Sequence, residues 1–414
     1  MQVSDVSLRE PTGSISPHLL LLVVQVVALA GPRFRKRQQL ACTLIVALAV
    51  ACHMNQFTQN LGLANLFALA WPHYLTTLIN FAFASRDGPE DDIWPMDDAP
   101  HVAATFVAFS WRKVTWALST MINLRGIRWN YEIPHLPKRV TAGQRESRIR
   151  FLLLQLVDLG WMILMADLLS RLGLELFFMN PATKSVYLNS KYLSLRSADT
   201  LWSITKTLVY GAGPYFFINA QYVFCSVLAV ALGVGDPEDW PPLFGKLSEA
   251  WTVRRFWNRF WHQMIRRPLT SLSSAACRRL GTTKGTTTDT YLRLWIAFLI
   301  SGAMHAGSML ILPSPANLTL AERTVGIFGF FAWQAAAITS EDLVQWAWKS
   351  VHGGDSSPAA WWTRALGYAW VVVSFWVSLP MAGDVMLRLR MGQDTPLPFT
   401  AFGGVLKHIH GPIA

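Results

Sequence analysis

The chain has 414 residues, of which 52% are hydrophobic and only 15% are charged, and its mean hydropathy is +0.29. This composition argues against two soluble domains and predicts a polytopic membrane protein. A formal net charge of +11 can indicate nucleic-acid binding, but here the basic residues divide unevenly between the two sides of the predicted membrane spans, as in membrane proteins.

Eight segments with few or no charged residues are long enough to be membrane spans, since about 20 apolar residues cross a bilayer. The predicted spans are 15–31, 39–55, 62–84, 151–170, 207–233, 292–312, 324–343 and 364–383. The first is predicted to be a retained anchor and not a signal peptide, because the basic residues 33–37 follow it instead of preceding it. The sequence therefore predicts an all-α polytopic membrane protein with about eight transmembrane helices.

The distribution of basic residues predicts the orientation of these spans. Of the 36 Lys and Arg residues, 26 lie in the loops that follow the first, third, fifth and seventh spans. By the positive-inside rule these loops are cytosolic and both termini are lumenal, which suits a multi-pass protein of the endoplasmic reticulum. The sequon at Asn317-Leu-Thr319 would then be lumenal, so Asn317 is a predicted glycosylation site.

We predict a single membrane-embedded domain over residues 1–414, made of an N-terminal three-span group (1–85), a cytosolic loop (86–150) and a C-terminal core (151–414). The first loop begins with an acidic cluster, predicted to be solvated, and continues into residues 102–123, predicted as a buried or re-entrant helix. It then contains the motif Arg125-Gly-Ile-Arg-Trp129, to which chemistry alone assigns no role.

The second long loop, residues 236–291, contains a dense aromatic and basic segment. Residues 247–267 are predicted to form one amphipathic helix at the membrane interface. Its polar face is formed at i, i+4, i+7 and i+11 by Arg255, Arg259, His262 and Arg266. Trp and Arg also anchor helices at lipid headgroups, and composition alone favours that role. A functional role is favoured by Asn258 and His262 at i, i+4, beside arginines that suit the phosphates of coenzyme A.

His305 lies within residues 294–321, a stretch of twenty-eight residues without Asp, Glu, Lys or Arg. A titratable side chain at that depth is costly and is usually retained for a function, with a packing histidine as the alternative. The small residues around it, such as Ser301 and Gly302, allow either close helix packing or a substrate tunnel. A neutral imidazole in a low-dielectric site resists protonation, so His305 would be available as a general base that deprotonates an alcohol.

Several familiar site patterns are absent from the sequence. It contains no G-x-S-x-G elbow, H-E-x-x-H helix, P-loop or G-x-G-x-x-G loop, so a soluble-type hydrolase, a metalloenzyme and a nucleotide-driven pump are unsupported. The four cysteines form no C-x-x-C pair, and neither a disulfide framework nor a zinc site is predicted.

Two segments, 256–266 and 298–305, resemble the membrane-bound O-acyltransferase superfamily, and most closely its wax-synthase-like branch. Arg125-Gly-Ile-Arg-Trp129 is similar to an Arg-Gly-x-x-Trp element of fungal members, which acetylate hydroxyl groups of terpenoids and meroterpenoids. By this resemblance His305 would be the catalytic histidine, and His262 would occupy the Asn/His position of the aromatic motif. Plant wax synthases tend to carry Glu after the histidine, where this chain has Ala306, so the resemblance does not supply the group that polarises His305.

The resemblance implies an acyl-CoA-dependent O-acyltransferase without a permanently bound cofactor, which uses acetyl-CoA as co-substrate and an apolar hydroxylated small molecule as acceptor. His305 would be the general base, with His262 and Asn258 orienting the thioester or stabilising the oxyanion. The residues expected to hold the donor are Arg255, Arg259, Trp261 and Arg266. The alternatives are a long-chain wax-ester synthase, a transporter that uses an intramembrane histidine, and a non-catalytic membrane scaffold.

Overall fold

A computed structural model describes residues 6–137, 147–180, 183, 185–352, 361–393 and 401–402. The described part of the chain is helical and contains no β-strand, which confirms the all-α prediction. The α-helices are α1 (Ser16–Ala30), α2 (Arg37–His53), α3 (Leu61–Ala68), α4 (Trp71–Ala82), α5 (Trp111–Ile122), α6 (Arg148–Gly173), α7 (Thr200–Ala231), α8 (Val253–Arg255), α9 (Arg266–Arg279), α10 (Thr287–Ser308), α11 (Leu320–His352) and α12 (Trp361–Arg388).

Two predicted segments are divided in the structure. The third predicted span, 62–84, consists of α3 and α4, because Pro72 lacks an N–H to continue α3 and lies instead in the first turn of α4. Residues 102–123 consist of a 3₁₀ turn (Val102–Thr105) and α5, separated at Phe109, whose φ of 56° is incompatible with a right-handed helix. The prediction of one continuous helix in each segment was therefore wrong.

The acidic cluster of the first loop is partly internal, contrary to its predicted solvation. Glu90 is fully buried and accepts hydrogen bonds of 2.7 Å from Arg37 on α2 and from Lys113 on α5. Burial opposes ionisation of Glu90, but the bonds from Lys113 and Arg37 outweigh that effect and hold its pKa below the ordinary value. This carboxylate ties α2 of the N-terminal group to α5 of the loop, and its loss would leave two buried cations without it.

The buried apolar side chains form two large clusters that meet near the C-terminal end of α10. One cluster joins α1, α2, α4 and α5 and includes Trp71. The other joins α3, α10, α11 and α12 and includes Phe331. Trp71 and Phe331 both contact His305, so this histidine lies at the boundary between the two cores.

Three described helices are long and apolar enough to cross a membrane, judged by length and composition: α6 with its π-helical continuation, α7 and α12. Within their most apolar windows, 17% of the residues of α6 and of α7 are buried inside the protein, compared with 44% for α12. The pair α6 and α7 therefore contains few fully buried residues and exposes many large apolar side chains, whereas α12 packs further into the core.

Candidate active site

His305 is placed by close packing between α10 and α11. Gly302 makes this approach possible, because a Cβ there would lie 3.1 Å from Cβ of Phe331. The His305 ring stacks on Phe331 with centroids 4.5 Å apart, and the edge of Trp71 lies against it at 4.9 Å. The His305 side chain is half-buried, so part of it remains accessible.

The tautomer of His305 follows from its hydrogen bond. Its Nδ1 lies 2.8 Å from the backbone carbonyl oxygen of Ser301, one helical turn earlier. A carbonyl can only accept, so Nδ1 carries the proton and Nε2 is left as the free base. Nε2 has no hydrogen-bond partner among the described residues. A backbone carbonyl therefore orients His305, in place of the carboxylate that the sequence lacks at Ala306.

The aromatic segment is not the continuous helix that its periodicity predicts. After α8 the chain forms a π-helical turn (Phe256–Phe260) and leaves the helix at Trp261, which has extended angles of φ −67° and ψ 147°. Nε2 of Gln263 donates to the carbonyl oxygens of Trp257 (2.7 Å) and Trp261 (2.6 Å). These bonds satisfy carbonyl groups that a continuing helix would have used, so Asn258 and His262 do not share a helical face.

His262 follows this turn and lies within reach of His305. Its ring packs against Phe244 at 5.9 Å and Trp261 at 5.4 Å, and its Nδ1 is buried without a hydrogen-bond partner among the described residues. Burial, followed by the positive charges of His305 and Arg125, lowers the pKa of His262 to about 3. The structure thus brings together the two histidines that the sequence separates by 43 positions.

Trp257 contacts both Trp261, which packs against His262, and Phe331, which packs against His305, although its sequence context assigned it no role. Its indole N–H donates to Gln334 on α11 at 3.1 Å, and its ring lies 6.2 Å from Phe331 and 6.0 Å from Trp261. Gln334 is fully buried, so its side chain can be placed only by internal partners. The aromatic content of the segment was a visible signal, but the contact with Gln334 depends on residues 77 positions apart.

The predicted donor-binding residues have different surroundings. Arg255 is already engaged, because it donates to the carbonyl oxygen of Glu249 at 3.0 Å and lies over the Trp251 ring at 4.7 Å. Arg259 has no hydrogen bond or ion pair with any described residue. The pKa of Arg266 is lowered by burial and then by the charge of Arg259, so these two guanidinium groups lie close together.

The other two predicted residues of this segment are also accounted for. Trp261 stacks on Phe256 with centroids 5.6 Å apart and an interplanar angle of 19°. The side-chain amide of Asn258 is half-buried and makes no hydrogen bond with a described residue. Asn258 thus keeps donors available for a ligand, whereas Trp261 packs between Phe256 and His262.

Arg125, in the motif to which chemistry alone assigned no role, stabilises the segment that packs against His262. It is 3% exposed and donates to Tyr222 (2.6 Å) and to the carbonyl oxygens of Pro241 (2.9 Å) and Pro242 (2.8 Å). Phe244, two residues further on, packs against His262. The motif was a visible signal, but its partners lie more than 95 positions away in the sequence.

Asn317, the predicted glycosylation site, is half-buried in the segment between α10 and α11. Its Nδ2, the atom to which a glycan would be attached, donates to Asn189 at 3.1 Å. Within the described part of the chain, no group of three or more His, Cys, Asp or Glu side chains could hold a metal ion.

Comparisons with known proteins identify the class. Residues 240–333, which contain the aromatic segment and His305, match the "Membrane bound O-acyl transferase family", and residues 147–231 match the "Aspirochlorine biosynthesis protein F C-terminal domain". The chain is therefore an acyltransferase with an acyl donor and a small-molecule acceptor, as its motifs predicted.

The relatives define the branch. "Aspirochlorine biosynthesis protein F" of Aspergillus oryzae is 46% identical over 57% of this chain and 91% of its own length. "Acetyltransferase ataH" of Aspergillus terreus is 33% identical over 66% of this chain and 89% of its own length. "Acetyltransferase ple2" of Rhodocybe pseudopiperita is 32% identical over 65% of each chain. The chain belongs to the membrane-bound O-acyltransferase family, in a branch shared with fungal secondary-metabolite acetyltransferases.

Proposed function

We propose that this enzyme transfers the acetyl group of acetyl-CoA to a hydroxyl group of an apolar terpenoid or meroterpenoid in secondary-metabolite biosynthesis. The observation that carries the proposal is the fixed tautomer of His305, which leaves Nε2 unprotonated and without a hydrogen-bond partner among the described residues, where the two apolar cores meet. The relatives named acetyltransferase, such as ataH and ple2, support acetyl as the transferred group.

The chemistry is direct transfer. Nε2 of His305 removes the proton of the acceptor hydroxyl as its oxygen attacks the thioester carbonyl carbon. The tetrahedral intermediate collapses, the C–S bond breaks, and the imidazolium returns its proton to the departing thiolate. The products are the acetate ester and free coenzyme A, so His305 ends the cycle in its starting state.

The residues around His262 would stabilise the oxyanion of this intermediate. Nδ1 of His262 is buried without a partner and the Asn258 amide makes no hydrogen bond with a described residue, so both are available to a ligand. A neutral imidazole donates only one hydrogen bond, and its depressed pKa keeps His262 neutral near pH 7. Donors fixed before the reaction are the usual means of lowering such a barrier.

The donor would enter beside Arg259 and Arg266, two neighbouring guanidinium groups without a carboxylate partner among the described residues. Their mutual repulsion would be relieved by the phosphates of coenzyme A. Arg255 would contribute by holding the segment to Trp251, and Trp261 by forming the wall beside His262. The acceptor would arrive from the bilayer side, between the two cores.

We also propose the predicted topology of eight spans in the endoplasmic reticulum. The spans would be formed by α1, α2, α3 with α4, α6, α7, α10, α11 and α12. The aromatic segment would then lie on the cytosolic side, where acetyl-CoA is present. Asn317 would be lumenal, and its engagement with Asn189 predicts poor use as a glycosylation site.

The test uses microsomes that contain equal amounts of wild type, His305→Ala and His101→Ala, the last being the same change at an exposed histidine. Radiolabelled acetyl-CoA is supplied with a panel of hydroxylated terpenoids. We expect label in an apolar product with wild type and His101→Ala only. Equal labelling by His305→Ala would refute the assigned role of His305.

The same assay with a C16 acyl-CoA separates the proposal from the long-chain wax-ester synthase. Transfer from the C16 donor but not from acetyl-CoA would favour that second function. Membership of an acyltransferase family argues against the transporter, and activity lost with His305 would argue against a scaffold.

A further inference from the structure

Arg267, a half-buried cation at the start of α9, has no role in the site described above. Nη1 of Arg267 donates to Oδ1 of Asn80 on α4 at 2.6 Å, and its guanidinium lies 4.0 Å from the centroid of the Tyr131 ring. Burial lowers the pKa of Arg267, an effect that the interaction with Tyr131 only partly offsets. No described carboxylate lies within ion-pair distance of it, so no residue in the described part of the chain neutralises this charge.

The second observation is an unsatisfied donor on the partner of Arg267. Asn80 is only 4% exposed, and its Nδ2 has no acceptor among the described residues. The orientation of this amide is fixed, because Oδ1 must face the guanidinium that donates to it. Nδ2 and the remaining N–H groups of Arg267 are therefore neighbouring donors without an acceptor among the described residues.

The backbone adds to this positive environment. Helix α9 has 14 residues and begins at Arg266, with no side chain capping its N-terminus. The N-terminus of a helix carries partial positive charge and favours an anion. The side chain of Arg266 is half-buried near Arg259 and bonds only the neutral amide oxygen of Gln263, at 3.2 Å. Donors of this kind and number suit a phosphate, which offers several acceptor oxygens and negative charge.

We propose that Arg267, Asn80 and the start of α9 form a binding site for a phosphate group. Resting on the proposed function, the ligand is a phosphate of the coenzyme A donor, held on the same face of the molecule as Arg259 and Arg266. The other source of the same chemistry is the headgroup of an anionic phospholipid. Asn80 joins the site from the N-terminal group, so both halves of the chain contribute to it.

The first test compares acetyl-CoA with 3′-dephospho-acetyl-CoA, using full-length protein purified in detergent. Wild type should show a KM about tenfold higher for the dephosphorylated donor, the effect of losing one charge-assisted contact. Arg267→Met keeps the aliphatic stem but removes the charge. Its KM for acetyl-CoA should rise to equal its KM for the dephosphorylated donor, with kcat nearly unchanged. Arg278→Met, at the exposed C-terminal end of α9, is the matched control and should retain the discrimination.

Asn80→Asp is the sharper variant. It replaces the Nδ2 donor by a carboxylate oxygen beside Arg267, so it neutralises Arg267 from within. This change should raise the KM for acetyl-CoA about tenfold while the protein unfolds at the same or a higher temperature. A variant that merely failed to fold would unfold at a lower temperature. Unchanged donor discrimination in both Arg267→Met and Asn80→Asp would overturn assignment to the donor.

The lipid source and the proposed function are separated by two further measurements. If the headgroup of phosphatidylinositol occupies the site, wild type but not Arg267→Met will bind phosphatidylcholine vesicles more tightly when they contain phosphatidylinositol. Binding of adenosine 3′,5′-bisphosphate, measured by calorimetry, needs no acetyl transfer. Loss of this binding in Arg267→Met would support the phosphate site even if no acceptor were acetylated. If wild type and Arg267→Met bind adenosine 3′,5′-bisphosphate equally, and also bind the phosphatidylinositol vesicles equally, the phosphate site is refuted.

Discussion

The two histidines of the site lie in backbone of opposite character. His305 is in the regular helix α10, whose own carbonyl at Ser301 fixes the tautomer of the imidazole. His262 follows a π-helical turn and an extended residue, and its Nδ1 is buried without a partner among the described residues. A regular helix can complete the hydrogen bonding of a base by itself, whereas an irregular segment leaves donors free for a ligand. The proposed base thus lies on a regular helix, whereas the proposed oxyanion donors lie on an irregular segment.

The strongest challenge to this comparison is His305→Gln. Glutamine keeps a neutral hydrogen-bonding side chain of similar size but cannot accept the proton of the acceptor. We expect acetyl transfer to fall about 10³-fold, within the range for loss of a positioned general base. The rate is measured in microsomes with protein amounts matched by immunoblot. A rate within tenfold of wild type would mean that Nε2 of His305 is not the base.

A smaller effect is expected for His262→Ala, which removes one oxyanion donor and should lower kcat about 10²-fold. With a pKa of about 3, His262 is neutral in the folded protein between pH 6 and 8. The ratio of wild-type to variant rates should therefore be the same at pH 6 and pH 8. A ratio that changes between these values would show that His262 titrates in this range and acts as an acid or base.

Gln263→Ala tests the irregular backbone itself. The change removes the amide that donates to the carbonyl oxygens of Trp257 and Trp261, which should destabilise the protein by about 1–3 kcal/mol. Activity should fall several-fold, because the turn that holds His262 is loosened. Thermal unfolding in detergent measures the first effect, with Gln221→Ala as the control on the exposed side of α7. Unchanged unfolding would mean that the turn is held by other contacts.

The smallest effect is expected for Ser301→Ala. The imidazole of His305 is held by the backbone carbonyl oxygen at 2.8 Å, while the hydroxyl oxygen lies at 3.4 Å. Alanine keeps that carbonyl, so kcat should change less than about twofold, since a hydrogen bond at that length contributes little. A shifted pH–rate profile or a large loss of activity would assign the orientation of His305 to the hydroxyl instead.

Local patterns in the sequence predicted the helical fold well, because apolar runs and their interruptions depend on neighbouring residues. The apolar stretch around His305 predicted that this histidine lies among apolar side chains. The aromatic segment indicated His262 and Asn258 as candidate site residues. The resemblance of these motifs to the acyltransferase family is confirmed by the comparisons. Their roles in catalysis remain predictions.

The features that could not be predicted depend on distant contacts. Periodicity predicted a continuous helix over 247–267, because it does not register the bonds that Gln263 makes back to Trp257 and Trp261. Composition placed Glu90 in solvent, because its partners lie 53 and 23 positions away. The same limit concealed the bonds of Arg125, whose acceptors become neighbours only once the fold has formed.

The exposed apolar faces of α6 and α7 have a practical consequence for isolating the enzyme. Few residues of these helices are fully buried, so in a bilayer the surrounding acyl chains would contribute to their packing. A detergent that strips those chains would loosen this pair first, while His305 remains enclosed by Trp71 of α4 and Phe331 of α11. Short-chain detergents should therefore cause aggregation before they cause inactivation, and a nanodisc should prevent it.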